Sequence, residues 1–177
     1  LCNPAGAAVQ VIGVGRPAKR RPLAEAAALL GIPRALIVRG NIEGKALRCL
    51  DEVSLFGSTD VLDVHGGSIQ EYEWHPEDFG LATRPASEEA ELIVDGPAES
   101  GEAIREVLAG GRGPRREIVL LNAAAVLWAA GRAESLPAAR ELAERAIDSG
   151  DAAVVLGRLA AASRESHAAV SGPATTH

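Results

Sequence analysis

Residues 7–38 read AAVQVIGVGRPAKRRPLAEAAALLGIPRALIV, and this stretch decides the fold class. Residues 7–14 form an apolar run rich in β-branched side chains and closed by Gly15, which is typical of a strand buried on both faces. From Pro17 onward apolar residues recur at helical spacing, and residues 35–38 then repeat the buried-strand pattern. The order strand, helix, strand predicts a parallel βαβ unit with a right-handed crossover.

The rest of the chain predicts a hairpin followed by helices. Residues 60–74 flank Gly66-Gly67, a dipeptide that supplies the positive φ angles of a tight hairpin turn. Residues 118–130 contain no charge, which predicts a helix buried nearly all round. Four helical patterns, each opened by Pro, Ser or Asp, cover residues 97–109, 114–130, 135–149 and 151–162. The predicted fold class is therefore α/β, with a partial parallel sheet carrying the βαβ unit, an antiparallel hairpin and a C-terminal group of helices.

Length and local composition predict one domain and a tail. A chain of 177 residues is long enough to bury roughly 70% of its extended-chain surface. After residue 162 the composition drifts to Ser, Ala, Gly, Pro, Thr and His. We therefore expect residues 1–162 to belong to the α/β domain and residues 163–177 to form a disordered tail. Cys2 and Cys49 are too few for a disulfide scaffold and lack zinc-site spacing, which predicts free thiols.

Overall charge argues against two classes of partner. The chain has 18 Lys and Arg against 24 Asp and Glu, a net charge of −6, whereas a general nucleic-acid binder needs a basic surplus. The sequence also contains no apolar run of the roughly 18 to 20 residues that span a bilayer, and no secretory signal. These patterns predict a cytoplasmic protein with neither a nucleic-acid nor a membrane partner.

Adjacent carboxylates at Asp51 and Glu52 are the strongest candidate for chemistry. Both can supply oxygen ligands to Mg²⁺, a hard cation that usually keeps waters and binds substrate phosphates. Neighbours on a regular strand point to opposite faces, so shared coordination requires a turn or a strand end. Residues 40–50 show no period and predict a loop that permits this. From the residues alone, two solvated carboxylates remain the alternative.

Two other features have an ordinary structural interpretation. The basic cluster Lys19-Arg20-Arg21 lies near a predicted helix start, but without a GxGxxG or GxxxxGK(S/T) motif it predicts solvated surface. Asn122 lies in the uncharged helix, where a buried amide without partners costs on the order of 1 to 3 kcal/mol. We expect it to make an interhelical hydrogen bond in preference to a substrate contact.

Six segments, in this order and spacing, together resemble anthranilate phosphoribosyltransferase. They are NPAG (3–6) leading into VQVIGV, ALIVRG (35–40), LDEVSL (50–55), PEDFG (76–80), VLLNAA (119–124) and AIDSG (146–150). Pyrimidine nucleoside phosphorylases are similar in architecture and are the nearest enzyme alternative. The LDEVSL and PEDFG segments favour the anthranilate enzyme.

The resemblance implies an activity, a metal and partners. It implies transfer of a phosphoribosyl group from phosphoribosyl pyrophosphate to the amino nitrogen of anthranilate, releasing pyrophosphate, in tryptophan biosynthesis. By the match to LDE, Asp51 and Glu52 would bind Mg²⁺ together with the pyrophosphate. No protein nucleophile is implied, because electrostatics and positioning carry most of the rate. The resemblance also implies a homodimer formed through an N-terminal helical domain.

The resemblance further predicts that this chain is the C-terminal part of such an enzyme. Family members carry a Gly-rich GTGGD phosphate loop and a KHGN segment ahead of the region matched here, and neither occurs in this sequence. We therefore expect the 177-residue chain to be inactive alone. A non-enzymatic alternative is that the chain has diverged and is retained as a folding or interaction module.

Overall fold

The structure, a computed structural model, describes residues 3–45 and 48–170, with side chains described up to residue 165. Its strands are β1 (Val9–Gly13), β2 (Arg34–Asn41), β3 (Cys49–Leu50), β4 (Thr59–His65) and β5 (Ser68–Trp74). Its α-helices are α1 (Pro17–Leu29), α2 (Pro97–Leu108), α3 (Pro114–Ala129), α4 (Leu136–Asp148) and α5 (Asp151–Val170). Two 3₁₀ helices, Pro76–Phe79 and Ala86–Leu92, lie between β5 and α2.

One mixed sheet organises the chain, in the order β1-β2-β4-β5, with the short β3 paired to the end of β2. β1 and β2 are parallel and α1 connects them, so the predicted βαβ unit is confirmed. β4 and β5 form the predicted antiparallel hairpin, with Gly66 and Gly67 at positive φ in its turn. The predicted α/β fold class is confirmed. β1 lies at the edge of the sheet and is only half-buried, not buried on both faces as its sequence predicts.

The side chains of β2 divide the core between the two faces of the sheet. Ala35 and Ile37 pack with α1, whereas Leu36 and Val38 pack on the side of α3. This alternation follows from the two-residue period of a strand. A strand covered on both faces therefore needs the continuous apolar run that this part of the sequence has.

The uncharged helix α3 is buried on most of its surface but not all round. Leu120 and Leu121 are buried, as predicted, while Val119 and Val126 are 43% and 46% exposed. These two valines are seven residues apart and so share one face of the helix. The prediction of burial all round is wrong for this face, because nothing in the described residues covers it.

Two predicted boundaries are wrong. The last helix continues to Val170, eight residues beyond its predicted end at residue 162, so the first part of the predicted disordered tail is helical. Its Ala, Arg and Glu residues are good helix formers, which outweighed the drift in composition. Residues 171–177 lie outside the described residues. The predicted end of the α/β domain at residue 162 is a separate boundary, and it remains a prediction. Residues 40–50 are also not wholly loop, because β2 extends to Asn41 and β3 pairs with it.

Helix length and hydropathy give no sign of a membrane span. Within the described part of the chain, none of the helices combines the length and the apolar character needed to cross a bilayer. Cys49 is a free thiol, as predicted, and Cys2 lies outside the described residues.

Arg34, at the start of β2, ties the sheet to the end of α3. Its Nε and Nη2 donate to the two carboxylate oxygens of the buried Asp63, at 3.2 and 2.8 Å. Its Nη1 donates to the carbonyl oxygen of Ala129 at 3.0 Å, and its guanidinium carbon lies 4.4 Å from the ring centroid of Trp128. One side chain therefore donates hydrogen bonds to a buried carboxylate on β4 and to a carbonyl at the end of α3, where helical carbonyls lack partners within the helix.

Replacing Arg34 should therefore destabilise the chain through the charge left behind on Asp63. Arg34→Met is expected to lower the free energy of unfolding by about 3 kcal/mol, because it leaves a buried carboxylate without its partner. Adding Asp63→Leu should recover most of that loss, because the pair is then replaced by apolar side chains. Urea unfolding of the chain measures both effects. A double variant no more stable than the single one would contradict this account of the pair.

Candidate functional site

Asp51 and Glu52 lie in the bend that follows β3, at the carboxyl ends of the parallel strands β1 and β2. A Cβ atom at Gly13, the last residue of β1, would overlap the backbone carbonyl of Asp51. A Cβ atom at Gly40, near the end of β2, would lie 2.7 Å from the backbone oxygen of Glu52. Two glycines thus allow the acidic pair to sit directly on the strand ends, where open α/β sheets bind ligands.

A buried anchor follows the acidic pair. Residues 53–56 are all buried, whereas Asp51 is exposed and Glu52 is half-buried. Within the anchor, the Ser54 backbone N–H donates to Thr59 Oγ1 at 2.9 Å, and Ser54 Oγ donates to the carbonyl oxygen of Asn41 at 2.6 Å. The LDEVSL segment therefore has two parts, one that presents carboxylates and one that fixes them to the sheet.

Asn122, in the middle of α3, forms hydrogen bonds with Glu52 and Val53, the residues at which these two parts meet. Its Oδ1 accepts from the backbone N–H of Val53 at 2.9 Å, and its Nδ2 lies 3.2 Å from the carbonyl oxygen of the same residue. Nδ2 also donates to Glu52 Oε2 at 3.2 Å and to the carbonyl oxygen of Ile118 at 2.9 Å. The prediction of an interhelical hydrogen bond is wrong, because the partners across from α3 are Glu52 and Val53, in the loop of residues 51–56 that we call the acidic loop.

The connection between β2 and β3 is fixed at both of its ends. Glu89, which is buried in the second 3₁₀ helix, accepts from Lys45 Nζ and lies against Arg48 Nη2, both at 2.7 Å. Cys49 Sγ donates to the carbonyl oxygen of Gly15 at 3.0 Å. These contacts hold the chain that leads into the acidic pair beside the end of β1.

The electrostatic surroundings of Glu52 are unfavourable to its charge. Burial raises the pKa of the Glu52 carboxyl above its ordinary value, and the neighbouring Asp51 carboxylate raises it further. Glu52 also lines a mainly apolar cavity of about 360 Å³ between α2 and α3, together with Ile104, Arg115 and Val119. A bound cation would offset both effects, because it favours the charged form of the carboxyl.

The donor set fits Mg²⁺. Two adjacent carboxylates, one open to solvent and one oriented by an amide, match a cation that takes one or two carboxylates and completes its shell with water and phosphate oxygens. Among the side chains described, those of residues 3–45 and 48–165, no group of three His, Cys, Asp or Glu could hold a metal. The pair therefore suits a metal that arrives with further ligands rather than an all-protein cage.

The basic cluster near the start of α1 is not part of this site. Arg20 lies 3.5 Å from Asp60, and Arg21 bonds to Glu25 and Glu71 at 3.1 and 3.0 Å. The prediction of solvated surface charge holds for Arg21, which is exposed, whereas the Arg20 side chain is mostly buried.

Sequence reasoning missed Asn122 as part of the site. The available signal was a polar residue alone in an uncharged helix, inside one of the six segments that carry the family resemblance. Period and composition indicate that such an amide needs partners, but they do not indicate which loop supplies them. Gly13 and Gly40 are also visible in the sequence, but nothing near them indicates that the acidic pair lies against them.

Curated proteins similar to this chain include anthranilate phosphoribosyltransferases from several bacteria. The chain is 43% identical to anthranilate phosphoribosyltransferase from Hyphomonas neptunium over 166 residues, which cover 94% of this chain and 46% of that protein. It is 41% identical to the protein of the same name from Rubrobacter xylanophilus, again over 166 residues and 46% of that protein. The chain thus spans about half the length of the curated relatives it matches.

Solved structures agree in fold. Anthranilate phosphoribosyltransferase from Saccharomyces cerevisiae, in complex with PRPP and Mg, matches with a TM-score of 0.71 and 26% identity over 84% of this chain and 41% of that one. The enzyme from Thermus thermophilus matches with a TM-score of 0.68 and 36% identity over 82% of this chain and 40% of that one.

A family model covers most of the sequence. The model described as glycosyl transferase family, a/b domain, matches residues 1–153 of the 177. The resemblance read from the six segments is thereby confirmed at the level of the family. This chain belongs to the glycosyl transferase family, whose α/β-domain model it matches over residues 1–153.

Proposed function

We propose that this chain supplies the metal-binding part of an anthranilate phosphoribosyltransferase. The observation that carries the proposal is the acidic pair Asp51 and Glu52, presented at the carboxyl ends of β1 and β2 by a buried anchor. The names of the relatives support the same substrates, and one related solved structure is described with PRPP and Mg bound. Mg²⁺ is the proposed cofactor, and the two carboxylates are its proposed protein ligands.

The proposed reaction joins the anomeric carbon of phosphoribosyl pyrophosphate to the amino nitrogen of anthranilate. The bond from that carbon to the pyrophosphate oxygen breaks, pyrophosphate leaves with the bonding electrons, and the nitrogen gives up a proton. When bound, Mg²⁺ would neutralise negative charge on the departing pyrophosphate. No residue of this chain is required to form a covalent intermediate.

The chain's own contribution is to bind and orient. Asp51 is open to solvent and can reach a ligand directly, whereas Glu52 is held by the amide of Asn122 beside the apolar cavity. Because carboxylates fixed before the substrate arrives need no reorganisation, they stabilise developing charge more effectively than mobile ones. A cytoplasmic location, and a homodimer formed through a helical domain of the longer enzyme, remain predictions.

The first test of this function is an exchange of segments. In the Hyphomonas neptunium relative, the matched segment would be replaced by the corresponding part of this chain, which is 43% identical over 166 residues. The chimera is expected to consume anthranilate in the presence of Mg²⁺ and phosphoribosyl pyrophosphate, measured as loss of anthranilate fluorescence. The 177-residue chain alone should show no turnover, because the family's Gly-rich phosphate loop does not occur in its sequence.

The matched control is the same chimera with Asp51→Ala and Glu52→Ala. It should lose at least about 100-fold in kcat/KM, the effect typical of removing groups that stabilise transition-state charge. An unaltered chimera that folds but never turns over would favour the non-catalytic module. Turnover by the isolated chain that disappears in the double variant would contradict the expectation that it is inactive alone.

A second prediction concerns the cost of the Glu52 charge in the metal-free chain. Because the pKa of Glu52 is raised in the folded state, the folded chain binds more protons than the unfolded one, and stability falls as pH rises through the folded pKa. Glu52→Gln should therefore raise the free energy of unfolding at pH 7. The advantage should disappear below about pH 4.3, the ordinary pKa of glutamate, where both states are protonated.

Urea unfolding at a series of pH values measures this effect. Glu141→Gln, at an exposed position on α4, is the matched control for loss of one charge. Added Mg²⁺ should stabilise the parent chain more than Glu52→Gln, because a ligand that binds only the folded state shifts the equilibrium toward it. A Glu52→Gln chain that is less stable than the parent at pH 7 without metal would contradict the prediction.

A further inference from the structure

We propose that Asn122 is a positioning residue for the acidic pair: it fixes the backbone at Val53 and orients the Glu52 carboxylate toward the metal site. This inference rests on the proposed function, because it assigns Asn122 a part in metal binding. It depends on the geometry of one side-chain amide, whose oxygen and nitrogen are both directed at defined partners.

The amide of Asn122 pairs with Val53 as a neighbouring strand would. Oδ1 accepts from the Val53 N–H at 2.9 Å while Nδ2 faces the Val53 carbonyl oxygen at 3.2 Å, so one side chain contacts both backbone groups of one residue. The two N–H groups of Nδ2 are shared among this carbonyl, Glu52 Oε2 and the carbonyl oxygen of Ile118. Val53 is 1% exposed, and unpaired polar groups at such a depth are costly. An aspartate here would lack the donor and a leucine would lack both groups.

The same nitrogen reaches the carboxylate. Nδ2 lies 3.2 Å from Glu52 Oε2, which leaves Oε1 without this contact. A hydrogen bond to one oxygen restricts rotation of the carboxyl group, so the other oxygen has a defined direction. Groups that orient a ligating carboxylate typically change metal affinity by about 10- to 100-fold when they are removed.

α3 provides a rigid base for this contact. Nδ2 also bonds the carbonyl oxygen of Ile118, one turn earlier, and the neighbouring Leu121 is fully buried against the sheet. The other side of the loop is fixed separately, by Ser54 bonding to Thr59 and Asn41. Asn122 is therefore the contact through which α3 orients the Glu52 carboxylate, whereas the Glu52 backbone lies against the end of β2.

The test measures loop protection and metal affinity separately. Asn122→Ala should make amide hydrogen exchange at Val53 at least about tenfold faster, because its N–H loses its acceptor. The same variant should weaken binding of Mn²⁺, a paramagnetic substitute for Mg²⁺ followed by electron paramagnetic resonance, by about 10- to 100-fold. Asn122→Ser, which is too short to bridge both Val53 groups, is the second variant should the alanine variant not fold.

Leu120→Ala is the matched control. Leu120 is buried on the same helix but packs with α2 and α4, away from the acidic loop. It should destabilise the chain as a core truncation does, yet leave Mn²⁺ affinity unchanged and lower protection at Val53 no more than at other buried amides. A loss of affinity in both variants would show that general destabilisation, rather than positioning, weakens the site, and would overturn the inference.

Failure of the inference and failure of the proposed function give different results. If the parent chain binds Mn²⁺ in a manner that depends on Asp51 and Glu52, but Asn122→Ala and Asn122→Ser bind it equally well, Asn122 has only a structural role and the inference is wrong. If the parent and the double carboxylate variant bind Mn²⁺ equally weakly, the metal proposal is wrong, and the inference fails with it.

Discussion

The arrangement of the site depends on how closely the acidic loop approaches the ends of two strands. The backbone at Asp51 and Glu52 occupies the space that side chains at Gly13 and Gly40 would need. This contact lets a loop that leaves β3 cross the carboxyl ends of β1 and β2 without displacing them. In this position Glu52 also lines the cavity between α2 and α3.

Consecutive residues of the acidic loop have different roles: residues 53–56 stabilise the fold, and the acidic pair before them forms the candidate metal site. Residues 53–56 belong to the core that packs against α3, whereas the acidic pair just before them stays accessible. The charged form of Glu52 is disfavoured in this position, because burial and the neighbouring Asp51 carboxylate raise its pKa. A well-packed fold can maintain such a charge because the anchor is buried and hydrogen-bonded on both sides.

The regular elements could be predicted because their signals are local. The apolar runs of β1 and β2, the helical spacing after Pro17 and the Gly66-Gly67 turn each indicate a structure within a few residues. The placement of the acidic pair at the strand ends followed from the family resemblance and from the need for a turn. Its support by Asn122 could not be predicted, because the two positions are about 70 residues apart and no period relates them. The exposed face of α3 at Val119 was missed because the absence of charge does not indicate which side a helix buries.

The hydrogen bond between Asn122 and Val53 also constrains the order of folding. It joins residues 69 apart in sequence, and the bond from Arg34 to Ala129 spans 95, so both form only when the helices dock on a completed sheet. Loop closure over such separations is slow compared with the formation of single helices or hairpins. We therefore expect the βαβ unit to form before Asn122 aligns the Glu52 carboxylate. In an incompletely folded chain the Glu52 carboxyl therefore lacks the amide contact that sets its direction, so the order of the acidic pair depends on the docking of a helix that is distant in sequence.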